Sequence, residues 1–161
     1  MLVDSHCHLD YFGGDADHVV ARAAAGGVGV LLTIGTTLSK FGGVLAIAER
    51  HCNVFCSVGV HPHEAAAEPG LSVERLIELT RHPKVVGIGE TGLDYYYDHS
   101  PRDRQRAVFQ MHIDAARATN LPLIIHNRNS DSDLIDILNK NIISHNVSGV
   151  IHCFSSTREL A

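Results

Sequence analysis

The residues of this chain that could do chemistry stand at the ends of apolar runs. In DSHCHLD at 4–10, His6 and His8 follow the short run LVDS at 2–5. In an extended strand residues i and i+2 point the same way, so the two imidazoles aim together. That spacing suits one metal ion, although polar residues fraying from a strand end give the same pattern. A second pair, His61 and His63, lies in GVHPH at 59–63. Glu90 closes KVVGIGE at 84–90, His126 closes LPLIIH at 121–126 and His152 closes VSGVIH at 147–152. Six of the twelve histidines thus end apolar runs. A lone strand-end histidine ordinarily bonds a nearby carbonyl. Six, with a glutamate among them, need a common reason, and a metal supplies one.

The donor set is nitrogen and oxygen without an assigned thiolate, which suits zinc, manganese, iron or magnesium better than a sulfur-rich structural site. It also exceeds the needs of one catalytic ion. Two divalent ions bridged by Glu90 would use it, lowering the pKa of water and clamping the oxygens of a displacement at phosphorus. The other histidines, His18, His51, His82, His99, His112 and His145, fall in helices or connections, where a structural role is the default.

Six β-branched runs have to position these groups: 2–5, 28–35, 53–60, 84–90, 121–126 and 147–152. Each is followed by a loop and a stretch of helical periodicity. The first helix begins near Asp15 or Asp17 and stops at Gly26-Gly27. The second follows Ser39 and the third Ser72. The fourth has Ser100 as cap, Pro101 at its first position and Asp103 closing an S-x-x-D box, and the fifth opens on a second such box at Ser130. A sixth starts near Ser156. Strands alternating with helices predict βαβ units and a parallel sheet. About 31 residues per unit is the pitch of an eightfold barrel, so 1–161 is expected to be one domain, an α/β TIM-like (β/α) barrel with six of its eight units. A doubly wound sheet shares the pattern. In both, function collects at the carboxyl ends of the strands. Period-two counting places Glu90 on one face with Val86 and Ile88, and His126 with Ile124.

With 161 residues, 45% apolar and 19% charged, the chain has the composition of a globular domain. No apolar stretch is long enough to span a bilayer. The N-terminus has no basic, long-apolar leader pattern, which predicts no secretory signal. The four cysteines form no C-x-x-C pair and predict reduced thiols in the cytoplasm. A formal charge of −5 excludes a broad polyanion-binding surface, so any nucleic-acid contact is local. Arg102, Arg104 and Arg106 are expected to form a solvated helix face.

The motifs DSHCHLD at 4–10, GVHPH at 59–63, GETGLDYYY at 89–97, LPLIIHNR at 121–128 and IHCFS at 151–155 resemble the TatD family of metal-dependent deoxyribonucleases. The resemblance spans the chain. It implies a TIM-like barrel, two divalent metals (magnesium, manganese or zinc) and hydrolysis of DNA, above all 3′-to-5′ trimming of single-stranded ends. Carried over by residue, His6 and His8 bind one metal, Glu90 bridges, and His126 and His152 complete the second site. His61 orients or protonates during catalysis. His63 and Arg128 meet substrate phosphate, and Asp94 and Tyr95 stand at the substrate or behind the ligands. Tyr96 and Tyr97 are expected to pack in their loop rather than stack on bases. Two departures accompany the likeness. The family completes its first metal site with an aspartate from the eighth strand, and IHCFSS stands where IHCFSG is usual. With six units the barrel exposes two strand edges, which predicts a shortened chain or an assembly, including self-association, that covers the gap.

Two other functions share parts of this pattern. Barrel hydrolases of lactones, cyclic amides or phosphotriesters also carry H-x-H on their first strand, but many bridge their metals with a lysine where this chain has Glu90. A non-catalytic metal-binding remnant would keep the ligands without the reaction.

Overall fold

Six strands and five helices alternate along the chain in a computed structural model that describes residues 1–141 and 147–161. His145 lies outside the described residues. The strands are β1 (Leu2–Cys7), β2 (Val28–Thr33), β3 (Val54–Val58), β4 (Val85–Asp94), β5 (Leu123–Arg128) and β6 (Gly149–Ile151). Between them run α1 (Ala16–Ala25), α2 (Phe41–Arg50), α3 (Val73–Leu79), α4 (Arg102–Thr119) and α5 (Asp131–Asn141). Short 3-10 turns at Leu9–Asp15 and Pro62–Glu64 follow β1 and β3. The expected sixth helix is only a turn, closed by Ala161 N–H on the Thr157 carbonyl. No helix among the described residues is long and apolar enough to cross a membrane.

All strands pair in parallel, in the order β1-β2-β3-β4-β5-β6. A doubly wound sheet reverses its strand order midway, so chain order throughout identifies six staves of a barrel. The sheet curls strongly. Laid flat at about 4.8 Å per strand, β1 and β6 would stand about 24 Å apart. The rings of His6, on β1, and His152, directly after β6, instead stack with centroids 3.9 Å apart.

The main core fills the space between sheet and helices. Leu31, Val54, Val58, Ile88, Leu123 and Ile125 meet Val44, Leu76, Phe109 and Ile113 in one buried cluster. Ile34 and Ile124 are buried outside it. On β5 the expected alternation holds, with Leu123 and Ile125 in the cluster and Ile124 and His126 out of it. On β4 it fails. Ile88 packs in the cluster, whereas the Glu90 side chain meets histidines from other strands. The β4–β5 register shifts between Ile88 and Thr91, and one irregular residue moves every later side chain to the other face. The strand also continues four residues past Glu90, to Asp94.

Three serines expected to cap helices tie loops instead. Ser39 donates to Glu68, Ser100 donates to the His63 carbonyl and accepts from Ala66 N–H, and Ser130 donates to the Leu93 carbonyl. Ser72 does cap α3, accepting from Arg75 N–H. The outer edges of β1 and β6 have no partner among the described residues, and Leu2, Val3 and Val150 are exposed there.

His112 is the helix histidine with a structural task. Fully buried on α4, it donates Nδ1–H to the Val108 carbonyl and accepts Val60 N–H on Nε2, fixing β3's exit to the helix layer. Burial lowers its pKa to about 4, the bond to Val108 only partly opposing this. A depressed histidine stabilises fully above its unfolded value and loses that contribution as pH falls towards the folded one. The expected loss between pH 7 and 4 is roughly 3 kcal/mol. Urea titrations across that range check it: the stability gap between the native chain and His112→Gln should narrow on acidification. A pH-independent gap would show that His112 does not titrate with unfolding.

Candidate metal centre

Glu90 occupies the middle of the mouth formed by the carboxyl ends of the strands. It is 3% exposed, and both carboxylate oxygens face imidazoles. Oε2 lies 3.4 Å from His6 Nε2 and 4.0 Å from His8 Nε2. Oε1 lies 2.6 Å from His152 Nε2, 3.1 Å from His126 Nδ1 and 3.5 Å from His61 Nε2. One oxygen therefore serves the β1 pair and the other serves the groups from β3, β5 and β6. Burial alone would raise the carboxyl's pKa, but hydrogen bonds from His126, His152 and His6 outweigh it and hold Glu90 far below the usual carboxylate range.

Two sets of three donors cluster tightly enough for an ion, His6–Glu90–His152 and His61–Glu90–His126, each with ligand atoms within 4.8 Å of one another. Glu90 belongs to both. The grouping differs from the expected one in placing His152 beside His6, because the curl of the sheet stacks those rings. The donor chemistry fits divalent ions. It is imidazole and carboxylate, nitrogen and oxygen donors converging on one point. Cys7, between them, turns away to donate to the Leu32 carbonyl, and burial raises its thiol to about 12.

The tautomer of His61 is set by a backbone contact. Its Nδ1 accepts the backbone N–H of His63, which leaves the proton of the neutral ring on Nε2, the atom facing Glu90. Burial lowers its pKa to about 3 against the pull of Glu90, so the ring is neutral at pH 7. His61 thus presents an N–H donor to the centre, which suits an orienting group better than a ligand. Burial likewise lowers the pKa of His8, despite Glu90.

Asp94 stands behind this layer with no exposed surface. Its Oδ2 accepts from His63 Nε2 and His126 Nε2, both at 2.9 Å. Its Oδ1 accepts the backbone N–H groups of Tyr96 and Tyr97 at 3.1 and 2.9 Å. Gln105, buried on α4, grips both the N–H and the carbonyl of Asp94. Burial opposes the charge, but the bond from Tyr97 and those from His63 and His126 lower the carboxyl's pKa. On His126 the balance runs the other way. Burial works against its charge, and Glu90 and Asp94 together raise its pKa. With Nε2–H given to Asp94, Nδ1 is the nitrogen that His126 turns to the centre.

Not every expected residue reaches the mouth. Tyr95 donates to Asp133 at 2.6 Å, lies under Arg102 and lines neither cavity that contains the histidines. Conversely, Tyr11 and Lys40 line the cavity of about 350 Å³ around Glu90, Tyr11 stacked on His8 at 4.9 Å. Lys40 lies at the start of α2, in the connection after β2, where the sequence carries no motif to mark it. Gly92 shows why the GETG stretch of β4 is glycine-rich: at φ 135° beside β5, a Cβ there would run into the His126 carbonyl.

Comparison with known proteins agrees with the barrel. The model of the family described as TatD related DNase matches residues 3–161, and the chain belongs to that family. It is similar to the uncharacterized metal-dependent hydrolase YabD of Bacillus subtilis, 36% identical over all of this chain and 64% of that protein. It is 34% identical to the 3′-5′ ssDNA/RNA exonuclease TatD of Enterobacter lignolyticus, over 92% of this chain and 56% of that protein. The crystal structure of the TatD homologue YjjV from Escherichia coli superposes with a TM-score of 0.90 at 33% identity, over 99% of this chain and 62% of that one. The chain therefore spans about three-fifths of the length of these relatives.

The Asp94 geometry predicts a cost for Asp94→Asn. Whichever way the amide turns, two of the four donors meet an N–H instead of an oxygen. The variant should lose about 2–4 kcal/mol of stability at pH 7, read by urea denaturation. Native-like stability would show that the carboxylate charge is dispensable there.

Proposed function

We propose that this centre is the metal-dependent phosphodiesterase site of a TatD-type nuclease acting on single-stranded DNA ends in the 3′-to-5′ direction. The observation that carries this reading is the division of Glu90 between two histidine groups, the arrangement a carboxylate needs to bridge two divalent ions. His6 and His8 would hold one ion and His126 and His152 the other, with His152 near enough to His6 to serve either. Bound there, such ions supply positive charge to a phosphate and acidify water.

The chain's own groups do the rest. The neutral Nε2–H of His61 donates to a phosphate oxygen and steadies its orientation. His63, held by Asp94, flanks it. Arg128 offers the guanidinium fork that matches phosphate. The name of the Enterobacter relative supports both the substrate and the direction of trimming. Four free cysteines support a reducing, cytoplasmic setting.

Lactone- or phosphotriester-type chemistry is disfavoured by the bridging group. Lys84, the β4-flanking lysine, lies at the other end of the strand, its Nζ spent on the carbonyls of His51 and Val54.

The test is degradation of end-labelled single-stranded DNA with magnesium or manganese, beside Glu90→Gln. Metal-dependent loss of label should fall at least about 100-fold in the variant, in line with the loss of a ligand that serves both ions. Its circular dichroism should stay unchanged. Cleavage by Glu90→Gln at the native rate would overturn the assignment.

A further inference from the structure

The loop after β4 carries two tyrosines that the catalytic scheme does not use. Tyr96 and Tyr97 are 57% and 51% exposed, and their rings meet edge to face at 4.8 Å. The Arg128 guanidinium sits in the notch between them, 4.2 Å from one ring centroid and 4.7 Å from the other. Neither phenol hydroxyl has a hydrogen-bond partner among the described residues. The Arg128 side chain likewise has no hydrogen bond or ion pair there. Its neighbours behave differently: Arg102 pairs with Asp98 and Arg106 with Asp133. Arg128 is thus held by ring faces while its N–H donors stay open.

This cluster is joined rigidly to the centre. Asp94 holds the backbone of both tyrosines with one oxygen and His63 and His126 with the other. Tyr97 touches His63 at 5.5 Å. Arg128, with Asn127 and Asn129, also walls a cavity of about 830 Å³ that reaches His126 and His152, ample for a nucleotide. Its one carboxylate, Asp131, is already taken by Asn127 and Ser156.

We infer that Tyr96, Tyr97 and Arg128 form a nucleotide subsite beside the metal centre, the guanidinium binding a phosphate of a single strand and the tyrosine rings stacking its base. The inference rests on the nuclease reading and adds the basis for choosing single strands. A duplex keeps its bases stacked on one another, whereas an unpaired base is free to exchange that surface for an aromatic one. It also replaces the expectation that these tyrosines merely pack in their loop.

The test uses two fluorescein-labelled thymidine oligonucleotides, one natural and one with abasic tetrahydrofuran units at its three 3′-terminal positions. Binding is read by anisotropy in EDTA, so that it is measured whether or not the chain cleaves. The native chain should bind the natural strand about tenfold more tightly than the abasic one, the scale of one base–aromatic stack. The Tyr96→Ala/Tyr97→Ala variant should lose that preference and bind the two strands equally, and the Tyr96→Phe/Tyr97→Phe variant should keep it. Equal binding of both strands by the native chain, or a preference that survives the alanine variant, would overturn the subsite. Failure of the nuclease reading appears separately, as absence of metal-dependent cleavage in the native chain.

Discussion

The architecture of the mouth depends on one buried carboxylate set among imidazoles. A glutamate removed from water is costly unless charge or hydrogen bonding compensates it. Glu90 receives that compensation from β1, β5 and β6 at once, with His61 close behind β3. No single strand could supply it. The sheet must curl until residues remote in sequence face one oxygen pair, and the stacking of His6 on His152 records that curl. Curvature and electrostatics here are one constraint.

Behind the mouth, a second carboxylate supports the first layer. Asp94 accepts two ring N–H groups and two backbone N–H groups, and Gln105 anchors it to α4. This fixes which nitrogen of His126 faces inward and where the tyrosine loop stands. The serines at 39, 100 and 130 do related work. Each leaves its helix terminus to tie a loop near the strand ends, so the side carrying the candidate chemistry is braced by side chains, while the opposite side relies on apolar packing and on Lys84 capping carbonyls.

Much of this was legible in the residues themselves. The β-branched runs and their pitch gave the strands and the barrel, and histidines at strand ends marked the mouth. The family motifs named the candidate ligands that the structure brings together around Glu90. What escaped was local. Period-two counting failed for Glu90 because a register shift inside β4 reverses the face, an irregularity that the apolar pattern does not encode. Capping boxes at Ser100 and Ser130 misled because a tertiary partner outbid the helix end for the hydroxyl. The pairing of His152 with His6 depends on how tightly the sheet rolls, a global property to which no short motif is sensitive. Asp94 was visible as a candidate, but its depth was not, since burial of a carboxylate is decided by what surrounds it.

The stacked rings of His6 and His152 have a mechanical meaning as well. Among the described residues β1 and β6 share no backbone hydrogen bonds, so the seam between the two edge strands is spanned by side chains meeting at Glu90. Whatever draws these three residues together also fastens β1 to β6. Any ligand drawing His6, Glu90 and His152 together would also hold β1 against β6, so part of its binding energy would go into keeping that seam closed.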